Sequence, residues 1–170
     1  QVQAQLELKG LQAQLSQGLR ITDAKALECA KEASGEIRLD IEAAFSQGLP
    51  NTPMAHARVH IVSGNFVTAR PVGVLGGVDF MHTGLVRKVD TEAMRQALQR
   101  DALVLLSPLG FSPTGEAFNL TMEDLATSVA IALQADKLIV ISEVDGMRSR
   151  EGKLHSELTA AQAEGLLAGN

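Results

Sequence analysis

Residues 102–106 read Ala-Leu-Val-Leu-Leu, an unbroken apolar run that is typical of a strand covered on both faces. A long amphipathic helix is predicted over residues 121–133, and a second apolar run, Leu-Ile-Val-Ile at 138–141, predicts another buried strand. A final helix is predicted over residues 159–167. Strand, helix and strand in this order predict a right-handed crossover and an open, mainly parallel α/β sheet.

The pattern upstream of residue 90 is different. Strands are predicted at 59–62 and 66–69, and the glycines that follow them predict antiparallel β-hairpins beside, or at the edge of, the larger sheet. Two helices are predicted before these strands, one ending near Gly35 as a C-cap glycine would end it and the next over residues 36–46. A short helix is predicted from Thr91 to Leu98.

The composition excludes several classes of protein. The chain has 170 residues, of which 45% are hydrophobic and 21% charged, which indicates an ordered globular domain. Its net charge of −5 disfavours a nucleic-acid partner, since phosphate contacts require a basic excess. The sequence contains no apolar run long enough to span a membrane. A single cysteine, Cys29, points to a reducing compartment, and we expect a cytoplasmic protein.

Ligands of open α/β sheets collect at the carboxyl ends of the strands. Four loops are candidates: residues 63–65, 107–110, 142–146 and 115–121. The last of these contains Asn119, whose amide can both donate and accept, although turn formation explains an Asn beside a helix equally well. Thr121 is predicted to cap the helix that follows. The four histidines and Cys29 lack metal-ligand spacing, so no metal site is expected.

Several motifs together resemble those of the amino-acid-kinase-like domain of bacterial N-acetylglutamate synthase, a relative of acetylglutamate kinase. The motifs are Leu19-Arg20-Ile21-Thr22-Asp23-Ala24, Val62-Ser63-Gly64-Asn65-Phe66, Ala69-Arg70-Pro71-Val72-Gly73, Gly77-Val78-Asp79-Phe80-Met81-His82-Thr83-Gly84, Arg87-Lys88-Val89-Asp90, Ser107-Pro108-Leu109-Gly110, Thr114-Gly115-Glu116-Ala117-Phe118-Asn119-Leu120 and Ala135-Asp136-Lys137-Leu138-Ile139. The resemblance implies a three-layer α/β/α sandwich, the amino-acid-kinase-like fold. Residues 1–170 would then be part of that domain, without its N-terminal strand and without a C-terminal acetyltransferase domain.

The resemblance also implies a function. In that family the kinase-like domain mediates homo-oligomerisation and feedback inhibition by L-arginine. The acetyltransferase domain transfers acetyl from acetyl-CoA to L-glutamate in the first step of arginine biosynthesis. The resemblance therefore implies no catalytic residue, cofactor or metal in residues 1–170, with acetyl-CoA a substrate of the full-length enzyme. Most arginine-binding residues would lie beyond Asn170.

One departure from the kinases is informative. The kinases place an aspartate four residues after the position of Asn119, and here that residue is Glu123. The extra methylene displaces the carboxylate, and a misplacement near 1 Å can cost about 100-fold in rate. The resemblance therefore implies a vestigial substrate and nucleotide crevice. Its predicted residues are Ser63, Gly64, Asn65, Asn119, Glu123, Ser142 and Asp145.

Two alternatives remain open at this point. One is an active acetylglutamate kinase, which would phosphorylate N-acetylglutamate with ATP and magnesium. The other is a non-catalytic binding or assembly module.

Overall fold

The computed structural model describes residues 6–7, 9–10, 14–47, 52–53, 59–141, 146, 148–149, 152, 154–155 and 157–168. The chain divides into two compact units, Gln1–Lys137 and Leu138–Asn170. The first unit contains every described strand. Among the described residues, no helix is long and apolar enough to cross a membrane.

The described part of the chain contains both short strands and helices. In chain order, the strands are β1 (Gln14–Ser16), β2 (Leu19–Ile21), β3 (His60–Val62), β4 (Val67–Pro71), β5 (Val74–Leu75), β6 (Val78–Asp79), β7 (Gly84–Val89), β8 (Ala102–Val104), β9 (Leu109–Phe111) and β10 (Ala117–Asn119). The helices are α1 (Ala24–Gln47), α2 (Thr91–Leu98), α3 (Met122–Leu133) and α4 (Ala160–Ala168).

The described strands form one four-stranded sheet and three two-stranded ones. The large sheet has the order β10-β9-β4-β7, in which β4 pairs antiparallel with β7 and parallel with β9. Strands β3 and β8 form a separate parallel pair, as expected for strands joined by a crossover. The α/β fold class is therefore confirmed, and the sheet that was predicted to be mainly parallel has mixed pairing among the described strands. In the region predicted to form hairpins, β4 and β7 pair antiparallel within the large sheet and β5–β6 forms a separate hairpin, whereas β3 pairs parallel with β8.

Two tight hairpins owe their shape to residues with positive φ. Strands β1 and β2 are joined by Gln17 (φ 51°) and Gly18 (φ 77°), and β5 and β6 by Gly76 (φ 57°) and Gly77 (φ 79°). Positive φ at both central residues is the signature of the two-residue turn that matches the twist of antiparallel strands.

The main core lies between the four-stranded sheet and α3. Val67 and Ala69 of β4 contact Phe118, Leu120 and Leu125, all at most 6% exposed. The predicted cap of α3 is confirmed, because the Thr121 hydroxyl accepts from the backbone N–H of Asp124 at 3.2 Å. The Asp124 carboxylate in turn accepts from the backbone N–H of Val86 at 2.9 Å, which ties the first turn of the helix to β7.

The prediction of two helices separated at Gly35 is wrong. Helix α1 is continuous from Ala24 to Gln47 and starts with the Asp23 carboxylate accepting from the backbone N–H of Ala26. A C-cap glycine takes positive φ, which Gly35 does not. A glycine inside a helix costs only about 0.5–1 kcal/mol, so the buried first half of the helix is enough to keep it intact.

The region after β8 differs from its prediction in two ways. Residues 109–111 and 117–119, expected to be turn and loop, pair as the hairpin β9–β10. The run Leu138–Ile141, expected to be a buried strand, pairs with no described strand, and its side chains are 48% to 95% exposed. An apolar run gives the tendency to form a strand, but a ladder also requires a partner edge. In the second unit, α4 forms where the final helix was predicted.

Candidate functional site

A cleft of about 650 Å³ lies in the first unit. Its walls are the β1–β2 hairpin, the middle of α1, the segment that follows β8 and the junction between β10 and α3. The lining residues are Leu15, Gly18, Arg20, Ser34, Ile37, Arg38, Ile41, Leu105, Leu106, Ser107, Pro108, Asn119, Leu120, Thr121, Met122 and Glu123. A volume of this size fits a small-molecule ligand, and an apolar lining with few polar groups is typical of such sites.

Arg20 is the most unusual polar group of the cleft. It lies on β2, and its Nη1 atom is buried without a hydrogen-bond partner among the described residues. A guanidinium carries five N–H donors, and a buried donor that lacks an acceptor costs about 1–3 kcal/mol. Since Arg20 also lines the cleft, its guanidinium is the lining group best suited to a ligand carboxylate or phosphate.

A second arginine lines the cleft from another element. Arg38 belongs to α1, where Ile37 and Ile41 place apolar surface beside it. Its Nε atom lies 3.6 Å from Oε1 of Glu42, and its side chain is 46% exposed. An exposed pair at this distance contributes little, so Arg38 can exchange Glu42 for a ligand anion at small cost. The two arginines make the cleft favourable for an anion with an apolar body.

Asn119 lies in the cleft and is held from behind by a buried polar cluster. Its Nδ2 atom donates to the Thr22 hydroxyl at 3.2 Å, and its backbone N–H donates to the carbonyl of His82. Thr22 is fully buried and hydrogen-bonded at 2.9 Å to the hydroxyl of Thr83. One of the amide protons of Asn119 therefore has a structural partner.

Glu123 lies on the exposed side of the first turn of α3 and contributes a negative charge to the cleft rim. A carboxylate is favourable near a helix N-terminus, so Glu123 and Asp124 both stabilise this end of α3. The described lining thus contains two arginines and one glutamate, which leaves a net positive site.

The structure brings together some of the predicted site residues and not others. Asn119 and Glu123 line the same cleft, with Ser107 and Pro108 from another candidate loop. The predicted residues Ser63, Gly64 and Asn65 connect β3 to β4 and do not line it. Ser142 and Asp145 lie outside the described residues.

The Ser63 loop has a different setting. The hydroxyl oxygen of Ser63 is buried without a hydrogen-bond partner among the described residues. Ser63 follows β3, at the carboxyl end of the parallel pair β3–β8. No group of three or more histidine, cysteine, aspartate or glutamate side chains that could hold a metal ion occurs in the described part of the chain.

Both arginines of the cleft were missed as site residues by reasoning from the sequence. Arg20 belongs to one of the family-like motifs, but its unusual setting depends on burial, which no local pattern reveals. Arg38 lies four residues before Glu42 on a predicted helix. That spacing indicates only an exposed ion pair.

Comparison with known proteins places the chain among characterised relatives. The sequence profile described as "Amino acid kinase family" matches residues 1–169. The chain is 64% identical over 163 residues to an amino-acid acetyltransferase of Ralstonia nicotianae, with 96% of this chain and 36% of the relative covered. It is 48% identical over 168 residues to an amino-acid acetyltransferase of Ectopseudomonas mendocina, with 99% and 39% covered.

Solved structures match over nearly the whole chain. N-acetylglutamate synthase from Neisseria gonorrhoeae, crystallised with coenzyme A and L-arginine, superposes with a TM-score of 0.90 at 37% identity, covering 99% of this chain and 40% of that one. The same enzyme complexed with coenzyme A and N-acetyl-glutamate superposes with a TM-score of 0.87. These matches confirm the resemblance seen in the sequence motifs. The chain spans 36% to 39% of the length of the Ralstonia and Ectopseudomonas relatives.

Proposed function

This chain belongs to the amino acid kinase family, and from that premise we propose that it is the regulatory, kinase-like domain of an N-acetylglutamate synthase. The observation that carries the proposal is the superposition, at 37% identity over 99% of the chain, on a synthase crystallised with coenzyme A and L-arginine. In this proposal the domain binds ligands and holds the assembly together. Acetyl transfer belongs to another part of a longer polypeptide.

The proposed reaction of the full-length enzyme joins acetyl-CoA and L-glutamate. The deprotonated amine of glutamate attacks the thioester carbon, the carbon–sulfur bond breaks, and coenzyme A leaves as the thiol once the nitrogen has lost its second proton. The groups that move these protons must lie beside the thioester, so we assign none of them to residues 1–170. No resident cofactor or metal is proposed for this domain.

The cleft is proposed to be the ligand site that remains in the domain. Arg20 supports this most directly, because a guanidinium that lines the cleft can bind a ligand carboxylate through charge-assisted hydrogen bonds. Arg38 also lines the cleft, and the apolar lining can accept an aliphatic body. The ligand chemistry that fits is a small carboxylate with an aliphatic stem, and N-acetyl-L-glutamate is a suitable probe.

An active acetylglutamate kinase is the second candidate, since a cleft that holds an acylated dicarboxylate could also present it to ATP. Phosphoryl transfer in characterised enzymes uses a lysine against the phosphates and a glycine-rich loop. Of the described residues that line this cleft, none is a lysine, and the aspartate position of the kinases holds Glu123. We therefore rank the kinase below the regulatory domain.

Two coupled assays on the complete polypeptide separate the candidates. We expect glutamate-dependent release of the coenzyme A thiol from acetyl-CoA, slowed by L-arginine, and no release of ADP from ATP, magnesium and N-acetyl-L-glutamate. Release of ADP by the unaltered protein would favour the kinase, and absence of both activities would favour a binding or assembly module. Glu123→Asp is expected to release no ADP either, because it restores one carboxylate and no phosphate-binding lysine.

The cleft itself is tested by isothermal titration calorimetry of the 170-residue chain with N-acetyl-L-glutamate. Arg20→Gln should weaken binding by about tenfold or more, as expected when a charge-assisted hydrogen bond is lost. Arg100→Gln is the matched control, because Arg100 is exposed and does not line the cleft. Equal affinities of the two variants would refute the assignment of Arg20. We further propose a cytoplasmic homo-oligomer whose size is measured by light scattering.

A further inference from the structure

Thr83 is a buried polar residue that lies outside the cleft. The proposed function assigns it no role. It is 2% exposed, lies just before β7, and is not among the lining residues. Its hydroxyl accepts from the backbone N–H of Thr22 at 3.1 Å and is hydrogen-bonded to the Thr22 hydroxyl and the carbonyl oxygen of Arg20. One side chain therefore has three partners on β2 and the residue that follows it.

These partners connect Thr83 to two residues of the cleft. The hydrogen bond from Thr83 to the Arg20 carbonyl holds the backbone from which the Arg20 side chain extends. The Thr22 hydroxyl, which Thr83 contacts, accepts from Nδ2 of Asn119 at 3.2 Å. A parallel bridge between Thr83 and Asn119 keeps the two backbones in register. The hydroxyl of Thr83 thus lies behind Arg20 and Asn119, both of which line the cleft.

The β1–β2 hairpin has few other described attachments in this region. It is a two-stranded sheet of its own, and beyond the Thr83 cluster Thr22 forms a bridge with Met81 and accepts from the backbone N–H of His82 at 2.9 Å. At the other end, Gln17 lies against the turn at Gly76. The segment from Met81 to Thr83 therefore supplies the described hydrogen bonds and bridge that hold the Arg20 end of this hairpin, together with the bond from Asn119.

That segment is rigid enough to act as a support. Met81 has φ 52°, and its backbone N–H donates to the carboxylate of Asp79 at 2.9 Å, a local bond that favours this turn. The backbone N–H of Thr83 donates to the carbonyl of Phe80, whose side chain is fully buried. A fixed backbone at residue 83 leaves its hydroxyl in one place.

We propose that Thr83 is a positioning residue for the cleft: its hydroxyl holds the Arg20 backbone and, through Thr22, the Asn119 side chain in the geometry that receives an anionic ligand. The proposal rests on the proposed function, in which the cleft binds a small carboxylate. It assigns no contact between Thr83 and the ligand.

The test compares Thr83→Val, which keeps the shape and loses the hydroxyl, with Thr83→Ser, which keeps the hydroxyl. Calorimetry with N-acetyl-L-glutamate, well below the melting temperature of each variant, should give a Kd about tenfold higher for Thr83→Val, since a small displacement of binding groups is costly. Thr83→Ser should restore the parent Kd within about twofold. Thr68→Val, on the half-buried strand β4, is the matched control and should leave Kd unchanged.

A double-mutant cycle separates positioning from general destabilisation. If Thr83 acts through Arg20, Thr83→Val should change Kd little once Arg20→Gln is present, whereas independent effects would multiply. Multiplication of the two effects, or a Thr83→Val variant that binds like the parent, would overturn the proposal.

A second readout needs no ligand. The ¹⁵N resonances of the Arg20 Nε–H and the Asn119 side-chain amide should shift or broaden in Thr83→Val and recover in Thr83→Ser, with no change in Thr68→Val. If the parent chain binds no N-acetyl-L-glutamate, the ligand assigned to the cleft is wrong, and these spectra still decide on Thr83. Unchanged spectra in Thr83→Val would refute its positioning role.

Discussion

Gly84 and Gly35 form a matched pair for testing the packing of the fold, because the same substitution by alanine should have opposite effects at the two positions. At Gly84, a Cβ atom would lie 2.6 Å from Cβ of Phe118 and 3.1 Å from the carbonyl oxygen of Arg70. At Gly35, on the exposed face of α1, a Cβ atom would meet nothing within 4 Å.

The magnitudes follow from those distances. The neighbouring Cβ of Phe118 cannot rotate away, so Gly84→Ala must move backbone by about 1 Å to reach an ordinary carbon–carbon contact of about 3.5–4.0 Å. Overpacking of this kind costs about 1–3 kcal/mol, which exceeds the unfolded-state entropy that alanine saves. Gly35→Ala meets no such clash and should raise the free energy of unfolding by about 0.5–1 kcal/mol, the helix preference of alanine over glycine.

Urea unfolding measures both effects. Far-UV circular dichroism is the suitable signal, because the chain has no tryptophan or tyrosine. The urea midpoint should fall for Gly84→Ala and rise for Gly35→Ala, with an unchanged slope m in each case. A Gly84→Ala variant as stable as the parent would refute the close approach of β7 to β10. A destabilised Gly35→Ala would refute the continuous helix α1.

Three further outcomes are expected. Thr121→Ala should lower the free energy of unfolding by about 1 kcal/mol, because the backbone N–H of Asp124 loses its acceptor, while Thr121→Ser should not; urea titration distinguishes them. The thiol of Cys29, which is 0% exposed, should react with a thiol reagent only as the chain unfolds, and rapid labelling of the native protein would contradict its burial. Lys31 donates to Glu28 and holds the pKa of that carboxyl below its usual value. Lys31→Ala should therefore raise the pKa of Glu28 in an NMR titration, and an unchanged pKa of Glu28 would contradict the contact.

The elements that the sequence predicted well are those whose signals are local. Helix α2 begins after Asp90, which accepts from the backbone N–H of Ala93, and α3 begins after Thr121 in the same way. A capping residue three positions from its donor can be recognised in the sequence without knowledge of the fold. The bounds of both helices were accordingly predicted to within a residue or two.

The elements that were predicted wrongly depend on partners elsewhere in the chain. Glycine is the residue type most often found at the end of a helix, so Gly35 predicts a helix end. Helix α1 nevertheless continues, because its first half packs a buried face that includes Cys29 and Ala33. The apolar run Leu138–Ile141 has the composition of a strand, but no described strand pairs with it. At Gly35, tertiary contacts outweigh a local preference worth about 1 kcal/mol or less, and at residues 138–141 the local preference for a strand has no described partner.

The residues of the candidate site also divide into those with a local sequence signal and those that depend on contacts elsewhere in the chain. Asn119 and Glu123, which line the cleft, were proposed from the sequence because Asn119 belongs to a family-like motif and Glu123 lies four residues further on. The setting of Arg20 could not be predicted, because the burial of its Nη1 atom depends on the fold and its backbone is held by Thr83, 63 residues away. Contacts of this sequence separation leave no periodic pattern.

The hydrogen bonds at the junction of β10 and α3 explain how a kinase-like cleft could persist after catalysis has moved elsewhere, as the proposed function requires. Nδ2 of Asn119 is bonded to Thr22, and the Asp124 carboxylate is bonded to the backbone of Val86. Replacing either side chain would leave a buried polar group without its partner, at about 1–3 kcal/mol, so folding alone preserves them. Glu123 is exposed and has no such bond among those described, so its length is free to change once phosphoryl transfer is no longer required.

We therefore expect Glu123→Asp to leave the free energy of unfolding within about 0.5 kcal/mol of the parent value. Asn119→Leu, which removes the bond to Thr22, should lower it by more than about 1 kcal/mol in the same urea titration. Equal losses in the two variants would contradict this division between structural and expendable groups.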